Sequence, residues 1–179
     1  AFGQVFRKGD IPSNTRVAGV GPQLLAFDAD IRNRWPDGSV KFAVVSGLMS
    51  MSANTASAIS LSASPSTVTQ NAVGLSNLRA TGTTASISFG AYSANWSDGD
   101  WDSPHTTVQS GSVRSSWVYR KPLGADPHLV GWLEVRCFSN GQVEVLPWVE
   151  NGYLSVAGST NKIGRATFTL NGSTRYDSN

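Results

Sequence analysis

The sequence predicts an all-β fold, a mostly antiparallel barrel or sandwich of about ten to twelve strands with long loops and little helix. Three observations lead there. Apolar residues recur with a period of two, no window longer than about ten residues keeps a helical period uninterrupted, and turn-forming residues punctuate the chain throughout. At 179 residues there is room for one such domain. It is expected over 1–170, with 171–179 a polar tail leading to a further domain, and Ala1-Phe2-Gly3 reads as a mid-chain start, a trimmed end or the first ordered residue.

Taken in order, Leu25, Phe27, Ala29 and Ile31 share one face of an extended segment, and Asp28 and Asp30 the other. Val40, Phe42 and Val44 repeat the pattern over 40–46, which points Ser39 and Lys41 outward. Ile59 and Leu61 alternate with serines within 57–63. Ala85, Ile87 and Phe89 alternate with Ser86 and Ser88, and Ala166, Phe168 and Leu170 with Arg165, Thr167 and Thr169. Each is a half-buried strand. The most definite unit is a hairpin in which 129–138 and 143–150 are joined by Ser139-Asn140-Gly141-Gln142, so that Leu133, Val135 and Cys137 face Val143 and Val145. Pro147 has no amide to donate, so its strand is an edge or bulges there. Gly9-Asp10-Ile11-Pro12, Trp35-Pro36-Asp37-Gly38, Trp96-Ser97-Asp98-Gly99 and Asn151-Gly152 are turns. The stretches 64–82 and 91–112 read as long loops, with a single helical turn around 122–128.

Charged residues make up only 15% of the chain, against about 25% in an average globular domain, so Ser, Thr, Asn and Gly must coat the strands. The formal net charge is +2, and no cluster of Lys and Arg exists that would displace counterions from phosphates, which excludes a nucleic-acid surface. No run approaches the ~20 apolar residues of a membrane span. A single cysteine, Cys137, permits no intrachain disulfide, and its alternating apolar context predicts a buried thiol.

Phe2-Gly3-Gln4-Val5-Phe6-Arg7-Lys8-Gly9-Asp10-Ile11-Pro12, followed by Trp35-Pro36-Asp37-Gly38-Ser39-Val40-Lys41-Phe42, resembles the N-terminal RIFT-barrel domain of exo-rhamnogalacturonan-lyase-like proteins, a domain also found in tail-associated proteins of tailed phages. Asp126-Pro127-His128-Leu129 and Val149-Glu150-Asn151-Gly152-Tyr153 resemble the second half of that pattern. The resemblance implies a RIFT-like barrel that accompanies catalytic machinery carried elsewhere. Independently of the family, Pro36-Asp37-Gly38 forms a turn ahead of which Trp35 folds over the barrel end.

No catalytic set is expected. His105 and His128 each follow a proline, outside any nucleophile elbow or metal-ligand spacing. Glu134 and Glu144 come near each other across the hairpin, a solvated pair balanced by Arg136 rather than the carboxylates of a glycosidase. Asp98, Asp100 and Asp102 offer alternate carboxylates, yet Ser103 and Gln109 stand where a calcium loop wants Gly and Glu, so no metal and no cofactor are expected. Of the six tryptophans, Trp117, Trp132 and Trp148 lie within strands as core or interface residues. Trp96 and Trp101 lie in a loop with Tyr92, Asp98, Asp100 and Asp102, and these six residues are the candidate saccharide site, because sugar C–H groups stack on aromatic faces.

The function expected on these grounds is a non-catalytic structural or interaction domain of a tailed-phage virion protein, in a tail fibre, tail tip or similar appendage. Its partners would be other virion chains in an oligomer, and host-surface polysaccharide. The alternative is a secreted, carbohydrate-binding accessory domain of a polysaccharide lyase that uses the Trp96–Trp101 loop.

Overall fold

A computed structural model describes residues 1–65, 71–152, 157–158 and 161–178. Their backbone is all-β: thirteen strands, one short α-helix and one 3₁₀ turn. The strands form four open sheets, none closed into a barrel among the described residues, and the pairings run antiparallel. The chain divides into two compact units, residues 1–73 with 109–115, and 74–108 with 116–179.

The first unit contains β1 (Phe2–Val5), β2 (Thr15–Val20), β3 (Leu24–Arg34), β4 (Val40–Met49) and β5 (Ser60–Pro65). One sheet has the order β1-β4-β3 and the other pairs β2 with β5. Phe6, Ile11, Val17, Val40 and Ala43 make the core, with Phe27, Ala29, Ile31 and Leu61 packed against it. The alternation expected for two strands changes phase in the structure. In β4 the fully buried side chains are Val40, Ala43 and Val45, whereas Phe42 and Val44 are half-buried. The β3–β4 register shifts around Asn33 and again between Leu24 and Ala26, and a slip of one residue moves a side chain to the opposite face. Leu25, expected on the apolar face, is accordingly 72% exposed.

Ser39 is likewise buried rather than outward-facing. Its hydroxyl donates to Asp37 Oδ1 at 2.6 Å and accepts the Gly9 amide at 3.0 Å, so it ties the Gly9 and Gly38 turns together. These Ser39 contacts hold the Asp37 carboxyl below the usual carboxylate range. Trp35 caps this corner, with Nε1 donating to the Phe6 carbonyl and Lys41 Nζ lying 4.7 Å from its ring centroid. Residues 109–115 are fastened by polar contacts: Gln109 donates to Ser46 Oγ at 3.0 Å, and the Ser112 amide to Asp28 Oδ2 at 2.6 Å.

The second unit contains α1 (Leu75–Ala80), β6 (Ala85–Phe89), β7 (Tyr92–Trp96), β8 (Thr106–Gln109), β9 (Arg114–Pro122), β10 (Leu129–Phe138), β11 (Val143–Asn151), β12 (Ala166–Leu170) and β13 (Ser173–Asp177), though β8 and β9 each run past its boundary. Its sheets have the orders β11-β10-β9-β8 and β13-β12-β6-β7. They pack face to face, Gly131 of β10 lying against Leu123, Trp96 of β7 and Ile87 of β6. The hairpin forms as expected, Leu133, Val135 and Cys137 being fully buried. Burial pushes the Cys137 thiol up. On the outer side of β6 and β12, Ser86 meets Thr169 and Ser88 meets Thr167, a hydroxyl ladder that uses the Ser/Thr alternation of both strands.

Two expectations change here. The stretches read as long loops carry structure: α1 lies within 64–82, of which 66–70 are outside the described residues, while β7, the 3₁₀ turn Asp98–Asp102 and β8 lie within 91–112. The expected polar tail is structured over 171–178, since β13 pairs with β12 through a two-residue turn in which Asn171 and Gly172 both take positive φ, 51° and 75°; residue 179 lies outside the described residues. That turn twists in the sense of the strands it joins, and Asn-Gly is the pair that adopts it at least cost.

A buried ion pair anchors the β9–β10 connection. Asp126 Oδ1 accepts the amides of His128 and Leu129 at 2.9 and 3.0 Å, and Oδ2 meets Lys162 Nζ at 2.5 Å. The Lys162 hydrogen bond, assisted by the two amides and opposed by burial, holds this carboxyl below its ordinary value. A depressed carboxylate contributes stability that is complete above the unfolded-state value and is lost as pH falls through the folded value. The difference in urea midpoint between the native chain and Asp126→Asn is therefore expected to shrink from about pH 5 to about pH 3. A difference that stays constant over that range would show that Asp126 contributes no titrating stability.

Candidate functional site

The six residues expected to bind sugar do not form a platform. Trp96 and Trp101 are each only 1% exposed. Trp101 Nε1 donates to the Thr83 carbonyl at 2.9 Å, and its ring meets Tyr119 edge-on at 5.1 Å. Neither face is available to a sugar, so that assignment is corrected: the pair is core. The sequence signal misled because Trp96 ends a strand, β7, whose alternate residues Ala94 and Trp96 face inward, while the 3₁₀ turn carries Trp101 inward from among aspartates.

The acidic residues of that turn are engaged with cations. Arg79 of α1 donates to Asp98 Oδ1 and to Asp102 Oδ2, both at 2.8 Å, and Lys121 Nζ meets Asp100 Oδ1 at 2.5 Å. Burial would raise the Asp100 carboxyl, but the Lys121 contact and the Ser97 amide outweigh it and hold it low. These pairs clamp α1 and β9 onto the turn, and the exposed ones are screened by solvent and stabilise little. Tyr92 stands at the far end of β7, half-buried, with Lys162 Nζ 5.7 Å from its ring centroid. Among the described residues, no three His, Cys, Asp or Glu side chains converge as a metal set would.

The remaining candidates separate as well. His105 is exposed and His128 is buried. Arg136 donates to Glu134 Oε1 at 2.7 Å and reaches Glu144 Oε2 at 3.5 Å, so the two glutamates share a cation on the open face of β10–β11. In the first unit a cleft of about 380 Å³ is lined by Arg16, Asp28 and Ser110–Ser112. Asp28 there already accepts the Ser112 and Ala29 amides, as a structural acceptor would.

The most distinctive surface lies elsewhere, along β11, an edge strand of its sheet. On its outer face Trp148 stands directly opposite Trp132, the two rings parallel within 3° and their centroids 5.7 Å apart. Trp132 Nε1 donates to Glu150 Oε2 at 2.8 Å. Arg120 lies 5.2 Å from the Trp132 centroid, and His105 meets that ring edge-on at 5.3 Å. Trp148 is 44% exposed. Toward the second sheet, β11 borders an apolar groove of about 230 Å³ lined by Ile87, Pro147, Trp148, Val149, Phe168 and Tyr176. Tyr176 is 57% and Val149 36% exposed.

The signal for this surface was present in the hairpin. Once Leu133, Val135 and Cys137 face inward, the even-numbered Trp132 and Trp148 must face outward. Fold and site together define an all-β protein with an aromatic outer sheet face and an apolar groove at an open sheet edge. No family model matches the chain, and neither a curated protein nor a solved structure matches it.

Proposed function

We propose that this chain is a non-catalytic interaction domain of a multi-chain assembly, of the kind tailed phages build into tail fibres, tail tips and similar virion appendages. The observation that carries this reading is the groove beside β11. Edge strands left unpaired are templates for another chain, and here the edge opens on apolar side chains that water solvates poorly. Pro147 interrupts the run of backbone donors on β11, so side chains entering the groove, more than a continuous ladder, would carry the contact. The occupant we assign is a second copy of this chain: β11 and β13 are both sheet edges beside the groove, which suits an isologous contact, and a net charge of only +2 opposes it little.

Sedimentation equilibrium of the purified chain tests this. A concentration-dependent oligomer in the micromolar range is expected, shifted to monomer by Val149→Asp while the far-UV spectrum is unchanged. A monomer throughout that range would overturn the self-association reading. Trp96 and Trp101, being buried, lend nothing to the lyase-accessory alternative.

A further inference from the structure

The geometry points to a saccharide-binding site on the outer face of β10–β11, with Trp148 as its platform and a neutral hexopyranose chain as its ligand class. Trp148 also lines the groove, so the two surfaces adjoin, but the sugar contact is with the outer face of the sheet and does not require the function proposed above. Trp132 is used up: Trp148 covers one side, Arg120 approaches at 5.2 Å, His105 abuts its edge, and Glu150 holds its indole N–H. Trp148 has one stacked neighbour and remains 44% exposed.

Such a ring is preorganised. A tryptophan stacked on a second one, itself fixed by a carboxylate and a guanidinium, loses little rotamer freedom when a third layer is added. The axial C–H groups of a pyranose carry partial positive charge and meet the negative π cloud of the open face. The hydroxyls at the ring's rim need both donors and acceptors, and this face provides both within two strands: Glu144 and Glu150 of β11, Glu134 and Arg136 of β10. Three carboxylates against the Arg136 and Arg120 guanidiniums make the rim slightly acidic, which disfavours uronic acids and favours uncharged sugars. A protein partner would bury these charges among apolar atoms, at a desolvation cost that a hydroxyl-rich ligand avoids.

The test is titration of the whole chain with cellohexaose, mannohexaose and hexagalacturonate, read by calorimetry and tryptophan fluorescence. A neutral hexasaccharide is expected to bind, with a fluorescence change, and hexagalacturonate more weakly. Trp148→Ala is expected to weaken binding about tenfold or more, Trp148→Phe to retain part of it, and the groove variant Val149→Asp to leave it intact. Because Trp148 is exposed, its thermal midpoint serves as the folding control and should stay near the native value. Flat traces with both neutral sugars would overturn the proposal. So would sugar binding indifferent to Trp148→Ala, or a Trp148→Ala effect on oligomeric state with no sugar binding at all, which would assign the face to a protein partner.

Discussion

Trp101→Ala is expected to cost about 3–5 kcal/mol of stability, a large share of the roughly 5–15 kcal/mol that holds a typical domain folded. The side chain is 1% exposed and fills the space between α1, β9 and the start of β6. Truncation leaves a cavity and removes the donor that satisfies the Thr83 carbonyl at 2.9 Å. The Tyr119 hydroxyl, which donates to the Trp101 carbonyl at 2.8 Å, would lose the edge-on ring that holds it in place. Urea unfolding followed by circular dichroism measures the loss. A decrease below about 1 kcal/mol would mean that the indole is not part of the core.

Gly131→Val should destabilise by about 1–3 kcal/mol, although strand propensity alone argues for the opposite sign. Glycine weakens a strand interior and valine favours it, so a reading of β10 in isolation would call the substitution an improvement. In the folded unit, a Cβ at this position would lie 2.8 Å from Leu123 Cδ2, 3.1 Å from Trp96 Cη2 and 3.3 Å from Ile87 Cδ1. Leu123, Trp96 and Ile87 are all buried, so none has open space into which to move. The two γ-methyls of valine extend the overlap. A lowered urea midpoint with unchanged slope is the expected result, and an unchanged or raised midpoint would show that the sheets yield at this point.

Much of the fold was legible because the strand period is local. Ile87 and Phe168 reach the core as the alternation requires, and Leu129–Phe138 pairs with Val143–Asn151 across the expected turn. The turn differs in one detail: Gly141 alone takes positive φ, at 83°, with the Gly141 amide bonded to the Phe138 carbonyl, so the loop is a type I turn closed by a bulge. The Asn171-Gly172 turn carries the same dipeptide, but only the segment before it alternates. Reading the C-terminal residues by their polarity hid it, because β13 is exposed on every residue and presents no apolar face.

The candidate site was less legible, for a physical reason. Whether an aromatic ring meets water depends on what packs over it, and that is a non-local property. Trp96 and Trp101 occupy polar local sequence yet are covered by β9, β10 and Thr83. Trp148 occupies apolar local sequence yet lies on an edge strand facing outward.

Residue order by itself determined the all-β class, the hairpin with its inward Leu133, Val135 and Cys137, and the low charge that leaves hydroxyls to coat the strands. Those properties follow from backbone periodicity and turn chemistry, which neighbouring residues set. The division into two units, the phase slips that bury Ser39 and Ala43 and expose Leu25, the burial of Trp96 and Trp101, and the stacking of Trp148 on Trp132 were decided only by tertiary structure. Each depends on side chains far apart in sequence competing for the same volume, and that competition has no local signature.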